Sequence, residues 1–292
     1  MSAGPSPEGA RGTVDLHVHS SASDGAFPPA IVVGRAAAAG LKAVALTDHD
    51  TLAGVPAAIK AGEQLGVRVV SGCEFSVAAP WGEMHVLGYF LPPGSETLER
   101  FLADCRADRE RRGRAMVARL HRVGVALGDE DVLAEAEGGA IGRPHVARAL
   151  VRRGHVATVG EAFDRYLARG KPAFVDKTLP TFAAVATLVH QVGGIVSAAH
   201  LKERGTRAVL RQLRSQGLDA VETRHPSHDP DQRSRLTDHA LELGLLRTGG
   251  SDWHGGSIGD EGHGTIGSED VPLEWLERIE TARPAPAEPL AG

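Results

Sequence analysis

The chain has 292 residues, 42% apolar and 24% charged, with 32 Lys and Arg against 37 Asp and Glu for a formal charge of −5. That is the composition of a soluble globular protein, with length for one large domain or a barrel carrying an insertion. It argues against duplex-DNA binding through bulk basicity and against a disulfide scaffold, and no apolar run reaches the roughly 20 residues of a bilayer span.

In chain order, residues 1–11 read as a flexible tail. The opening MSAGPSPEGA has neither a basic start nor an apolar core, so no secretory signal is expected, and a reducing cytoplasm is the expected compartment. Strands are expected over Thr13–His19, Lys42–Thr47, Arg68–Gly72, Met84–Tyr89, Gly194–Ala199, Ala220–Thr223 and Leu246–Thr248. Helices are expected over Pro28–Ala39, Val55–Leu65, Thr97–Val123, Thr181–Val192, Arg204–Gln216, Pro230–Leu243 and Pro272–Thr281. This alternation implies βαβ units and a parallel sheet. The rhythm breaks over 96–178, which is Arg-rich and helical with no strand before Ala173–Val175. That stretch reads as a helical insertion into an α/β barrel formed by 12–95 and 179–280, and 281–292 reads as a second flexible tail.

Fourteen histidines accompany only five lysines, and the histidines are not scattered. Along the first strand, His17 and His19 alternate onto one face, where two imidazoles can converge on one ion. Taken alone, such a pair fits two buried, hydrogen-bonded histidines equally well. The next expected strands end in His49, Glu74, His200, and Asp252 with His254. Residues that follow parallel strands gather at one rim, so these seven are expected to be spatial neighbours. Asp24, in a Ser-Asp-Gly loop, and His85, at the start of a strand, join them by membership of the group. Six imidazoles and three carboxylates exceed one tetrahedral zinc and suit two to three ions of the Zn, Mn or Fe type. Glu74, with two oxygens to share, is the candidate bridge. Magnesium alone is not expected, because it prefers oxygen ligands and retained waters.

The motifs DLHVHSSASDG, ALTDHDT, SGCEFS with MHVLGYF, SAAH and GGSDWHG resemble those of the PHP (polymerase and histidinol phosphatase) phosphoesterase family. The resemblance spans about 13–95 and 180–265, and IGRPHVARALVRRG extends it into the insertion, nearest to the nucleotide-phosphatase branch. It implies an α/β fold, a distorted (β/α)7 TIM-like barrel with a small helical insertion domain, and three metals. The implied ligands are His17, His19, Asp24, His49, Glu74, His85, His200, Asp252 and His254. One departure is Leu201-Lys202 after His200, where many relatives carry Pro.

Metal-assisted hydrolysis of a phosphate ester needs no nucleophilic Ser or Cys, and Cys73 reads as a buried small residue. His225 or Asp24 is the candidate proton donor to the leaving alcohol. Arg106, Arg109 and Arg112 recur every third residue on one expected helix. Arg143 and His145 flank Pro144 at a helix start that attracts anions. The resemblance implies that these two regions bind a nucleotide's phosphates, and His228 and His254 are further candidates for substrate contact. The expected substrate is a 3′,5′-bisphosphate, a nucleoside monophosphate or the 5′ end of a short RNA. No membrane and no obligate protein partner are expected.

Three other readings stand beside this one. An amidohydrolase also places HxH on its first strand, yet none of Lys42, Lys60, Lys171, Lys177 or Lys202 falls where a bridging lysine belongs. A histidinol-phosphate or other small phosphomonoester phosphatase would share the core without needing the insertion's arginines. A non-catalytic metal-binding regulatory module would have no reason to keep all nine ligands.

Overall fold

A computed structural model describes residues 13–136, 141–256 and 264–287. The barrel half opens with β1 (Thr13–Val18), α1 (Pro29–Ala38), β2 (Ala43–Leu46) and α2 (Val55–Leu65), followed by β3 (Arg68–Ala79) and β4 (Gly82–Tyr89). Four helices come next: α3 (Glu96–Arg122), α4 (Asp129–Ala136), α5 (Arg143–Arg152) and α6 (Val159–Ala162). The barrel resumes with α7 (Phe182–Gln191), β5 (Ile195–Ala198), α8 (Arg207–Ser215), β6 (Ala220–Arg224), α9 (Pro230–Leu243) and β7 (Leu246–Gly249). It ends in β8 (Val271–Pro272) and α10 (Leu273–Thr281). Local chemistry sets several of these ends. Asp229 and Gln232 form a reciprocal cap on α9 ahead of Pro230, and Thr181 caps α7 through the Ala184 amide.

One sheet holds the eight strands in the order β7-β6-β5-β4-β3-β2-β1-β8. The ring is nearly closed where the chain beyond β7 meets β1. There Asp252 N donates to His17 O (2.8 Å), His19 N donates to Trp253 O (3.0 Å), and Val18 bridges to Trp253. The short β8 lies antiparallel on that same edge of β1, opposite β2. Seven staves and their helices make the expected α/β barrel, with one change of direction.

That change corrects the expectation of an all-parallel sheet. The strand expected over Arg68–Gly72 runs on to Ala79, turns at residues 80–81 and returns as β4, register Ala79↔Gly82 to Gly72↔Tyr89. So short a connection joins only antiparallel strands, and β4 then pairs antiparallel with β5. Cys73, Phe75 and Val77 alternate into the hydrophobic core, and Glu74 and Ser76 take the other face. Glu74 therefore sits inside a strand instead of beyond its end.

The helical segment between β4 and α7 has its own core, built on Met116, Leu120, Val146, Leu150 and Leu167, with no member shared with the barrel's clusters. The strand expected at Ala173–Val175 is absent. Ala173 N and Phe174 N instead close turns on Tyr166 O and Lys171 O. Residues 1–11 lie outside the described residues. Residues 282–287, read as part of a tail, run back along the barrel, where Arg283 Nε donates to Gly193 O and Ala287 N to Gln191 O.

The seam between β1 and β7 is tight enough to test. A Cβ on Gly250 would lie 2.4 Å from His17 N and 2.5 Å from His17 Cβ, whereas a Cβ on Gly34 in α1 meets nothing within 4 Å. Gly250→Ala is expected to lower stability by about 1–3 kcal/mol through overpacking. Gly34→Ala is expected to raise it by about 0.5–1 kcal/mol, because it stiffens a helix interior at no steric cost. Urea denaturation of the two variants measures both; equal midpoints would mean that the seam gives way freely.

Candidate metal centre

The rim of the barrel gathers the nine expected ligands around one buried carboxylate. Glu74 Oε2 lies 3.2 Å from His17 Nε2, 3.1 Å from His19 Nε2 and 3.4 Å from His49 Nδ1. Its other oxygen, Oε1, lies 2.8 Å from His85 Nδ1 and 3.1 Å from His200 Nε2. Asp252 Oδ1 is 3.2 Å from both His17 Nε2 and His19 Nε2, and those two nitrogens are 3.2 Å apart. Asp24 faces His254 Nε2 at 3.3 Å, His19 Nδ1 at 3.7 Å and His49 Nε2 at 3.8 Å.

These spacings answer whether the residues fit divalent ions. Four donors held about 2.0–2.1 Å from a tetrahedral metal stand roughly 3.3–3.4 Å from one another. The five measured edges among His17, His19, Glu74 and Asp252 are 3.1–3.2 Å. Two further donor groups overlap this one, His19-Asp24-His49-His254 and His49-Glu74-His85, with His17-Glu222-His225 beside them. The ring nitrogens His19 Nδ1 and His49 Nδ1 are buried with no hydrogen-bond partner, as ligand atoms waiting for a cation are. The donor chemistry fits divalent ions.

The electrostatics agree. Burial opposes ionisation of Glu74, but His49, His85 and His17 outweigh it and hold the carboxyl well below its usual range. Burial likewise opposes the charge on Asp24, yet His49 and His254 keep it a carboxylate. Against burial, Asp252 and Glu74 push His19 up to about 10, and Asp252, Glu222 and Glu74 raise His17. The pocket draws in positive charge, whether carried by protons or by metal.

Residues that sequence reasoning did not select hold these ligands in place. Glu222 Oε1 takes His17 Nδ1 at 3.0 Å, while its Oε2 accepts the His200 amide at 2.8 Å. Such an outer carboxylate fixes the imidazole's tautomer. Asp48 accepts from Ser20 N, Ser20 Oγ and Ser23 Oγ, each at 2.7 Å, and so shapes the loop from His19 to Asp24. Asp15 accepts from the amides of His17, Ser251 and Gly267 and ties β1 to the loop bearing Asp252. A buried acid in an apolar strand was a signal available at Asp15 and Glu222. Asp50, His200 and Asp252 adopt φ of 51°, 31° and 52°, a strained conformation for residues other than glycine.

A cavity of about 730 Å³ opens over the ligands. Its floor includes Asp24, His49, Glu74, His85, His200, Asp252 and His254, and the insertion contributes His145 and Arg148 to its wall. His225 also lines it; Ser227 N donates to His225 Nδ1 (3.1 Å), so the neutral ring carries its proton on Nε2, 3.4 Å from Asp252 Oδ2.

The other expected substrate contacts point elsewhere. Arg109 is buried, with Nε 2.5 Å from Asp50 Oδ2, and Arg106 reaches Asp50 O at 3.2 Å. Arg112 turns to Val175 O, and Arg143 lies over the rings of Phe163 and Phe174. His228 is buried under the floor, where its Nε2 accepts from Lys202 N and burial lowers it to about 4. None of these five lines the cavity. Equal spacing along α3 could not show that the helix faces the barrel, where an acid, Asp50, already waits. Arg148, one turn beyond His145 on α5, takes the cavity position and donates to Asp24 O at 3.4 Å.

Residues 15–222 match the family model of the PHP domain. The chain belongs to the PHP domain family. It is 33% identical over 245 residues to a 5′-3′ exoribonuclease of Haemophilus influenzae, covering 82% of this chain and 89% of that protein. It is 32% identical over 269 residues to a 3′,5′-nucleoside bisphosphate phosphatase of Chromobacterium violaceum, covering 89% and 92%. A crystal structure of a protein assigned as a metal-dependent phosphoesterase from Bifidobacterium adolescentis superposes with a TM-score of 0.83 at 33% identity, covering 91% of this chain and 94% of that one. The chain is accordingly a hydrolase of the PHP type with a centre suited to divalent metal. No described helix is long and apolar enough to cross a membrane.

The buried pair between α3 and the His49 loop makes a prediction of its own. Arg109→Met strands Asp50 without its partner and is expected to cost about 3–5 kcal/mol of stability, whereas Arg109→Met with Asp50→Asn is expected to regain most of it. Thermal and urea unfolding of the single and double variants decide this. A single variant as stable as the parent would show that Arg109 does not anchor the loop.

Proposed function

We propose that the protein releases phosphate from nucleotide phosphomonoesters, a 3′,5′-nucleoside bisphosphate, a nucleoside monophosphate or the 5′ end of a short RNA, with two to three ions of Mn, Fe or Zn. The observation that carries this reading is the split of one cavity into a floor of metal donors and a wall bearing Arg148. A substrate with two phosphates matches that split, one on each side. The H. influenzae and C. violaceum relatives, named for RNA and for a nucleoside bisphosphate, point the same way.

The nine ligands would hold the ions, with Glu74 offering an oxygen to either side of the cluster. Bound there, divalent ions lower the pKa of water toward neutrality and offset charge on phosphoryl oxygens. The chain's own residues do the rest. His225 lines the cavity with its Nε2 3.4 Å from Asp252 Oδ2, and its Nε2–H would hydrogen-bond the departing alkoxide. Asp24 stays ionised beside His49 and His254, which suits a ligand and not a proton donor. Arg148, whose Nε lies 3.5 Å from Glu135 Oε2 on the same wall, would exchange that carboxylate for a phosphate gripped by its planar fork.

Phosphate release from 3′-phosphoadenosine 5′-phosphate, AMP, histidinol phosphate and short 5′-phosphorylated RNA, with Mn²⁺ and after chelation, tests the reading. Turnover of nucleotides that chelator abolishes and Mn²⁺ restores is expected; inertness toward every substrate with metal bound would sink it. Arg148→Ala is expected to raise KM for the bisphosphate by roughly 10- to 100-fold, the worth of one charged hydrogen bond, and to change p-nitrophenyl phosphate little. An equal effect on both substrates would remove Arg148 from the second phosphate.

A further inference from the structure

His85 is flanked by carboxylates on both ring nitrogens. Nδ1 faces Glu74 Oε1 at 2.8 Å on the cluster side, and Nε2 lies 3.1 Å from Glu83 Oε1 on the other. Glu83 is in turn held by the ammonium of Lys177, which also donates to Ser76 Oγ at 2.9 Å. Ser76 and His85 are register partners across the β3–β4 hairpin, so the lysine binds both strands at the level of His85. All three side chains are mostly buried, with Lys177 13% and Glu83 25% exposed.

Lys177 does not arrive there by chance of rotamer. It lies in the segment that leaves the helical insertion, and that segment is fastened to α3 on both sides of it. Arg112 donates to Val175 O and Arg119 to Phe174 O ahead of the lysine, while Asp108 accepts the amide of Thr178 behind it. A side chain with four rotatable bonds is thereby delivered to one carboxylate with its backbone already fixed, which lowers the entropy lost in making the pair.

We propose that Glu83, pinned by Lys177, is a positioning residue for the metal centre: it takes the Nε2 proton of His85 and leaves the Nδ1 lone pair directed at the ion shared with Glu74. The inference rests on the reading of His85 as a metal ligand. It assigns the insertion a role that no resemblance of motifs suggested, since the segment leaving the insertion orders a ligand on the barrel's antiparallel hairpin. A carboxylate behind a ligating imidazole raises its basicity and fixes its orientation, and losing one typically weakens metal binding by roughly 10- to 100-fold.

The test is metal retention, read without turnover. Wild-type, Glu83→Ala, Glu83→Gln, Lys177→Met and His85→Ala proteins are loaded with Mn²⁺, dialysed against graded chelator and assayed for bound metal by mass spectrometry. Glu83→Ala is expected to release one class of ion at roughly 10- to 100-fold lower chelator strength than wild type. Glu83→Gln, whose amide oxygen still accepts the Nε2 proton, is expected to recover most of that loss, and Lys177→Met to shift in the same direction by less. Retention equal to wild type in Glu83→Ala, with an ion lost from His85→Ala, overturns the inference and leaves the metal reading intact. Full retention in His85→Ala overturns the metal reading itself. Should Glu83→Ala fail to fold, Lys177→Met decides, and unchanged retention there counts against the proposal.

Discussion

Everything at this rim answers to the cost of burying Glu74 among five imidazoles. His17, His19, His49, His85 and His200 all stand within 3.4 Å of its two oxygens, and Glu74 itself is 1% exposed. Withdrawing so many polar groups from water is unfavourable unless each finds a partner, and ring nitrogens aimed at one another satisfy nothing without a cation between them. The surroundings are built to keep this arrangement from relaxing. Glu222, Asp48 and Asp15 anchor His17, the Ser20–Asp24 loop and the Asp252 loop from behind. Left-handed backbone at Asp50, His200 and Asp252 stores strain at the positions where ligands are presented. Metal bound there would repay these costs, and folding and loading would then be coupled.

The helical insertion matters to the site mainly through the loops it steadies. Arg106 and Arg109 bind Asp50, next to His49; Arg148 binds the carbonyl of Asp24; His145, kept neutral by burial that lowers it to about 4, reaches the backbone of Ser23. Its cations, which a sequence pattern offers as phosphate contacts, are occupied elsewhere, Arg106 and Arg109 by the barrel's Asp50 and Arg112 and Arg143 by Val175, Phe163 and Phe174 of the insertion itself. A buried Arg–Asp pair contributes little net stability against well-packed apolar residues, but breaking it is costly, so its value lies in fixing one geometry. That geometry is the placing of His49 beside both Asp24 and Glu74 at the floor of the cavity.

Much of this was legible in the sequence because the ligands are tied to periodic elements. His17 and His19 share a face by strand alternation, and His49, His200, Asp252 and His254 follow apolar runs that could only be strands. The antiparallel hairpin was the fold's main surprise, although Cys73, Phe75 and Val77 carry the alternation that extends β3 through Glu74. Reading Glu74 as a polar residue that ends a strand reached the right neighbourhood by the wrong local structure. The roles of the arginines were not legible. Spacing on α3 gives a shared face but not what that face meets, and only the tertiary fold brings Asp50 to Arg109 across 59 residues. Glu222 carried a signal as an acid in an apolar run, but which histidine it or Glu83 serves was not legible, since a carboxylate behind an imidazole has no fixed sequence offset from it.

A net charge of −5 is an unfavourable field for anionic substrates, so attraction for phosphate must be local. In the cavity, the carboxylates Asp24, Glu74 and Asp252 are interleaved with imidazoles that are neutral when they ligate, so the protein supplies negative charge where the substrate's phosphate must sit. Divalent ions bound there would reverse the sign of that floor without altering the rest of the surface. Attraction for phosphate is then conditional on metal and confined to a few ångströms, which a constitutive patch of lysines would not achieve.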